Sequence, residues 1–403
     1  MKLSALRLVV RGRWTAIACA ALAALVLARA FFFGVYEVEG RSMAPTLEAG
    51  ESVLVAYGQK ALERYDLVVL QMPNEKKPKV KRVVGLPGES VQLMNGDLVV
   101  NGARISLDKP RPPLVTVFDD SLEPVEEWFQ MGSTQVNPWE KTEEGWHLEA
   151  TDVASGAAAG TMFFARRLTA GHVGGEQEGV SGGTSAADCV LSCEFRLGLE
   201  PAELNFILRE QGDTFRAELR FEREGTGKVQ IRQRWRGGEE LLLAEGELGV
   251  SSKGWTALRF GNVDNRIFLE LTVPNAEPEA LVSGLVSNHF DPSDRLAKGE
   301  TYGHRVGFGG AAGEADFRKI RVLKDLHYTA RGSYGITEPV RLGPREFFVL
   351  GDNSPQSRDG RDWGPVNDEV ILGRPLGVVF PLRYARLLGG GEASLITSAE
   401  PLR

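Results

Sequence analysis

The sequence predicts a mainly β protein: an N-terminal transmembrane helix, then a β domain split by an inserted antiparallel β-sandwich. Three observations carry this expectation. An apolar run behind a basic cluster opens the chain. Short β-branched runs separated by turn residues occupy both outer stretches. A long middle stretch alternates between charged and apolar residues.

Size and composition fit that outline. At about 150 residues per domain, 403 residues make two or three domains. Hydrophobic residues are 42% and charged residues 25%, which excludes a largely disordered chain. The 47 glycines follow no three-residue period, so collagen is excluded. With 47 basic against 54 acidic residues the net charge is −7, and no basic field suited to nucleic acid exists. Five histidines without ligand spacing and three cysteines point to no metal, no cofactor and no disulfide scaffold.

Lys2, Arg7, Arg11 and Arg13 precede the apolar run Trp14 to Ala28, which resumes after Arg29 and continues to Val35. The unbroken part is 15 residues, short of the roughly 20 that a bilayer demands, but counting to Val35 gives 22. Arg29 can snorkel to the interface. Residues 1–13 are therefore expected in the cytoplasm, 14–35 in the membrane and the bulk outside. The competing reading is a cleavable leader with Ala28-Arg29-Ala30 as its cut site. Phe31 to Phe33 prolong the apolar segment beyond a normal cleavage region and favour the anchor.

Residues 36–114 read as short strands: Val53–Ala56, Leu67–Leu70, Val80–Val84, Val91–Leu93 and Leu98–Val100. Asn95-Gly96 and Asn101-Gly102 are type I′ hairpin signals. Pro110, Pro112 and Pro113 mark a boundary. From 115 to 325 the texture changes. Phe215–Phe221 and Val229–Trp235 put charge on one face and apolar groups on the other, as a sandwich strand does. Gly171–Gly183 reads as a loop. Trp139, Trp146, Trp235 and Trp255 read as core or scaffold, with sugar stacking as the alternative. Cys189 and Cys193 would lie about 13 Å apart on one strand, too far for a disulfide, and read as buried thiols. The first texture returns over 326–403, so one β domain is split by another at a surface loop.

A Ser-His-Asp triad is improbable, because no histidine lies in the outer stretches except His327 at the exit of the insert. Serine chemistry without histidine requires another base, and a buried lysine near other cations can be neutral. Lys81 sits where strand alternation points it inward while Arg82 faces the other way. Ser42, in Gly40-Arg41-Ser42-Met43-Ala44-Pro45, occupies a tight turn that can aim a backbone N–H at an oxyanion.

These segments together resemble the bacterial type I signal peptidases, membrane-bound serine endopeptidases with a Ser/Lys dyad. Four blocks stand in the family's order: Gly40 to Leu47, Tyr65 to Leu70, Lys81 to Glu89, and Gly351-Asp352-Asn353 through Val366. The resemblance implies that Ser42 is the acyl-forming nucleophile and Lys81 its general base. It also implies that Ser357 orients the lysine and that Asp359 and Arg361 are a supporting ion pair, with Asp352 in the same block. The Ser42 N–H would be an oxyanion donor. The implied partners are secretory preproteins, cut after small residues, and membrane lipid; the implied location is the cytoplasmic membrane, single-pass. A preprotein would add as a strand near Tyr36-Glu37-Val38 and Pro78-Lys79-Val80, with Tyr36 on the edge and Val38, Leu47 and Val80 either lining shallow pockets or serving as ordinary core residues. The chain departs from the family at Gly40, where some members have a serine, at Ser354 for arginine, at Gly360 for serine, and at Tyr65 for glycine.

The insert is weakly similar to concanavalin- or laminin-G-like sandwiches, which leaves a glycan or protein ligand open. Two other functions compete. One is a self-cleaving repressor-like Ser/Lys peptidase, which normally carries a DNA-binding domain where this chain has an anchor. The other is an inactive surface protein that binds through its sandwich.

Overall fold

The computed structural model describes residues 31–388, excepting 59–60, 74, 95, 106–113, 132–136, 151–159, 166–167, 169–187, 199–200, 211–212, 223–225, 236–237, 250–253, 264–265, 273–278 and 286–304. Residues 1–30, the proline cluster and Gly171–Gly183 lie outside this set. Among the described residues no helix is long and apolar enough to cross a membrane.

The β-branched runs of the outer stretches form two sheets. An 8-stranded sheet runs in the order Phe33–Glu37, Ser52–Tyr57, Ile371–Phe380, Leu67–Leu70, Lys79–Gly85, Glu346–Leu350 and Val366–Asn367, with Arg386–Leu387 beside Ile371–Phe380. Strands from both ends of the chain are interleaved in it, so neither half can complete the sheet alone. The smaller sheet joins Val340–Arg341, Ser90–Met94, Asp97–Val100 and Ala103–Arg104. Its second hairpin turns at Asn101 (φ 51°) and Gly102 (φ 79°), the paired positive angles of a type I′ turn.

One expected boundary is corrected. The membrane helix cannot extend to Val35, because Phe33–Glu37 is a strand paired antiparallel with Ser52–Ala56. Its residues alternate between exposed and half-buried, a period of two. Five residues are too few for hydrophobicity to separate helix from strand, and the pairing partner decides.

The middle stretch forms a 14-stranded antiparallel system folded into two layers. Arg305–Lys324 belongs to both. Its first part pairs with Gly160–Phe164 and Ala202–Glu210, and its second with Trp146–Ala150, Cys189–Leu197 and Val115–Asp119. The switch lies at Gly313, whose φ of +79° favours glycine and whose Cβ, if present, would stand 2.5 Å from the Pro201 carbonyl oxygen.

Phe195, Phe206, Phe308 and Phe317 meet between the layers. Each such side chain contributes about 1.5–3 kcal/mol on burial, enough to hold the layers without covalent links. Cys189 and Cys193 are buried and are not joined in a disulfide. Trp139 is buried there with its indole N–H on the Gly160 carbonyl at 3.1 Å, the core role expected of it. Trp146 packs at the core's edge, and Trp255 is half-buried beside the Arg196 and Arg318 guanidiniums. Alternation holds on Asp213–Phe221, where Phe215, Ala217, Leu219 and Phe221 face the core. Glu218 on the opposite face is nonetheless buried beside Arg216, so that face is not plain solvent surface.

The first and last strands of the middle stretch pair with each other, in register Val115 with Lys324. The chain thus enters and leaves the sandwich at one place. Leu326 and Tyr328 then join Val84, Val91 and Leu350 in the core of the outer unit.

Gly313→Ala should lower the thermal unfolding midpoint of the sandwich by several degrees, because it combines strain at positive φ with a backbone clash. Differential scanning calorimetry of the full chain would show this. An unchanged midpoint would mean that the strand crosses between layers without needing that geometry.

Candidate active site

The site forms where four chain segments meet. Ser42 lies in a turn after the first strand, half-buried. The turn is closed by Ala44 N–H on the Arg41 carbonyl at 3.2 Å and Leu47 N–H on the Met43 carbonyl at 2.9 Å. It is tied to a distant loop. The Asn353 backbone N–H donates to the Ser42 carbonyl at 3.0 Å, and the Asn353 amide donates to the Arg41 carbonyl at 2.8 Å.

Lys81 lies on Lys79–Gly85, in register with Val68 of the neighbouring strand. Its side chain is 2% exposed, and its Nζ is 2.5 Å from Ser42 Oγ. Burial, the largest influence, brings the ammonium's pKa down from 10.5 to about 8; Asp359 and Asp352 pull it up, and Lys79 and Arg361 push it down. A lysine so placed is neutral in a sizeable fraction of molecules near pH 8 and can then accept the serine proton.

Two arginine–aspartate pairs flank this dyad. Arg361 and Asp359 are wholly buried, with Nε on Oδ1 at 2.9 Å and Nη2 on Oδ2 at 2.8 Å. Arg361 also donates to the Ser354 hydroxyl at 2.5 Å and carbonyl at 2.7 Å, and to the Thr329 carbonyl at 2.9 Å. Burial by itself would raise the Asp359 pKa, but the bonds and charge of Arg361 outweigh it and hold the carboxyl below its ordinary range. Asp359 also accepts the Gly351 N–H at 3.0 Å and caps the short helix Gly360–Trp363 through a capping box with Asp362. In the second pair, Arg82 grips Asp352 with Nε on Oδ1 at 2.8 Å and Nη2 on Oδ2 at 2.5 Å. Asp352 accepts in addition from the Thr46 hydroxyl, in the Ser42 turn.

Ser357 is buried. Its hydroxyl makes no well-aligned hydrogen bond in the structure, although it lies close enough to Asp359 to help keep that carboxylate charged. Gly351 lies between Ser357 and Ser42. A Cβ there would stand 2.1 Å from Ser357 Oγ and 2.5 Å from the Ser42 carbonyl oxygen, so only glycine fits.

Tyr36, Val38, Leu47 and Val80 fall in one apolar cluster with Met43, Val53 and Val69. Leu47 has no exposed surface and packs as core, the alternative to a place in a pocket wall. Tyr36 bonds the Tyr57 hydroxyl at 2.6 Å. Among the described residues, Lys79–Lys81 has a strand on one side only, since Glu346–Leu350 pairs from Arg82 onward. Phe33–Glu37 is the outer strand of its sheet.

The departures from the family pattern have local causes. Tyr65 sits at φ +74°, the left-handed region that favours glycine, and its carbonyl accepts from Arg82 at 2.8 Å. At Gly360 a Cβ would approach the Val349 carbonyl oxygen to 2.7 Å, so a serine would require the backbone to shift. Ser354 serves as an acceptor for Arg361. At Gly40 a Cβ would meet open space. Arg82, Thr46, Asn353 and Thr329 were not expected in the site; the adjacent Asp352-Asn353 doublet was the available signal for two contacts to the Ser42 turn. Among the described residues no cluster could hold a metal ion.

The signal peptidase family, peptidase S26, matches residues 11–155 and 315–380, ranges that take in the outer unit and also the first and last strands of the sandwich. Signal peptidase I of Bacillus caldolyticus is 39% identical over 97 residues, 23% of this chain and 53% of that protein, so the chain spans about half the length of that relative. Signal peptidase I T of Bacillus subtilis strain 168 is 32% identical over 161 residues, 37% of this chain and 82% of that protein. A carbohydrate-binding module of Bacillus subtilis is 10% identical with a TM-score of 0.29, covering 47% of this chain and 98% of the module, a likeness too slight to transfer anything.

Arg361→Met strands a buried carboxylate and should cost about 3–5 kcal/mol, whereas Asp359→Leu combined with Arg361→Met should cost clearly less than the two single changes summed. Denaturant unfolding of the four proteins measures the coupling; strict additivity would show that the pair does not act as a unit. The pH dependence has a fixed sign. The stability that Asp359 contributes is present above its unfolded pKa of 3.8 and is lost as pH falls through the lower folded value.

Proposed function

We propose a function from one premise: the chain belongs to the signal peptidase family, peptidase S26. It is a membrane-anchored serine endopeptidase that removes N-terminal signal peptides from secretory preproteins. The observation that carries the reading is the 2.5 Å approach of a buried lysine amine to a serine hydroxyl.

Neutral Lys81 takes the Ser42 proton as Oγ bonds to the scissile carbonyl carbon. The tetrahedral oxyanion is met by the Ser42 backbone N–H, and Gly40 leaves the side-chain donor of some relatives without a counterpart. Collapse breaks the C–N bond, and the Lys81 ammonium returns its proton to the departing amine. Water then loses a proton to the same lysine as it attacks the acyl carbon; the Oγ–C bond breaks, the Lys81 ammonium returns that proton to Ser42 Oγ, and the new carboxyl terminus leaves.

The preprotein binds as an extended strand between the open edges of Phe33–Glu37 and Lys79–Lys81, where its backbone groups find ladder partners. Tyr36, Val38 and Val80 then shape shallow pockets, which suits small residues before the cut. The segment that opens at residue 14 and ends before the Phe33–Glu37 strand anchors the chain with its N-terminus in the cytoplasm. Supporting the anchor, Phe31, Phe32, Phe33 and Val35 are exposed immediately after it, an apolar surface costly to leave in water.

Ser42→Ala and Lys81→Ala should each reduce cleavage of a preprotein in detergent to background, with the cut mapped by mass spectrometry. The value of kcat/KM should climb about tenfold per pH unit on the acid side and level off near pH 8, as Lys81 becomes neutral. Cleavage by either purified variant at the wild-type rate would refute the dyad.

A further inference from the structure

The segment leaving the sandwich passes directly behind the site. After Lys324 ends the shared strand, Tyr328 N–H bonds the Gly96 carbonyl at 2.9 Å and fixes the chain against the outer unit. The next residue has four contacts with the buried cluster. Thr329 N–H donates to Ser354 Oγ at 2.8 Å, and its hydroxyl lies 3.1 Å from the same oxygen. Its carbonyl and its Oγ1 both accept from Arg361 Nη1, at 2.9 and 3.0 Å. Two residues on, Arg331 donates to the Ser357 carbonyl. Ser333 and Tyr334 N–H groups close the far side on the Arg361 carbonyl, at 2.7 and 3.0 Å.

The Arg361 head has no freedom of its own. Its NH donors are engaged by Asp359, Ser354, Ser357 and Thr329. Thr329 is the member of that set supplied from outside the Gly351–Trp363 block, and it places the guanidinium relative to a frame running up from the sandwich. Where Arg361 sits determines how fully the Asp359 charge is neutralised, and Asp359 lies near Lys81. The Ser357 hydroxyl lies close to the same carboxylate.

We propose that Thr329 is a positioning residue for the Lys81 base, acting through Arg361 and Asp359 and locked in place by the chain's exit from the sandwich. This rests on the Ser42–Lys81 reading. Thr329 touches neither the dyad nor the proposed substrate path; it sets the orientation of the groups that do surround the lysine. The loosening of Arg361 would leave Asp359 less neutralised, and a freer carboxylate favours the ammonium form of Lys81.

The test uses the full chain in detergent. Thr329→Val keeps the side-chain shape and deletes Oγ1, and Thr329→Ser keeps the hydroxyl. For Thr329→Val we expect kcat to fall about tenfold, inside the hundredfold that a 1 Å misplacement can cost, with KM little changed and the acid limb of kcat/KM moved to higher pH. Thr329→Ser should restore both. A parallel measurement follows the Lys81 titration directly by NMR of ε-carbon-labelled lysine, assigned by its loss in Lys81→Met. A folded Thr329→Val with wild-type kcat, pH limb and Lys81 titration would overturn the proposal. A wild-type protein that cuts no preprotein, yet whose Lys81 titration moves in Thr329→Val, would sink the peptidase assignment and leave the positioning role standing.

Discussion

The site depends on keeping one buried amine free of a buried carboxylate. Lys81 lies near both Asp359 and Asp352, either of which could take it as a partner and hold it as an ammonium. Each is instead clasped through two N–H···O bonds by an arginine, Asp359 by Arg361 and Asp352 by Arg82. Guanidinium matches carboxylate with two parallel bonds and never gives up its proton, so it outcompetes an ammonium for that position. Lys81 is left facing a hydroxyl, and desolvation then does most of the work of neutralising it.

The arginine clasps also determine geometry. Asp352 reaches Arg82, beside the lysine on the same strand, and Thr46, in the serine turn. A single carboxylate therefore ties together the segments that carry Ser42 and Lys81. Asn353, the following residue, adds two bonds to the serine turn, and Gly351, the preceding one, lets that turn approach where a side chain would intrude. Three consecutive residues thus bring together segments that lie more than 300 positions apart in sequence. Their packing against the Val349 strand and the capped helix after it makes the arrangement rigid.

The sandwich is compatible with this because its two ends are paired, Val115 beside Lys324. The outer unit meets only a short gap where some two hundred residues depart and return, and loop-closure cost grows slowly with length. The return is not an inert tether. It runs from a strand shared by both layers into the core of the outer unit and on to the Arg361 cluster, so the insert and the site share a continuous frame.

Much of this was legible in the sequence. Short β-branched runs located the strands of the outer sheets, Asn101-Gly102 announced its hairpin, and period-two alternation gave the sandwich, because these signals come from neighbouring residues. Ser42 and Lys81, like Asp359 and Arg361, were legible through the resemblance of their blocks to the family's motifs, since a serine in a turn or a lysine on a strand is common by itself. The functions of Asn353, Arg82 and Thr329 were not, since each acts on a partner tens or hundreds of residues away and nothing local records such a pairing. Nor could apolar character alone place Phe33–Val35 in a strand or bury Leu47, because hydrophobicity states a preference for leaving water without naming the surface that will cover it. The sequence by itself determined which side chains could do chemistry and which segments would extend. Tertiary structure decided which charges would neutralise each other, because that depends on distance and desolvation, which exist only once the segments have packed.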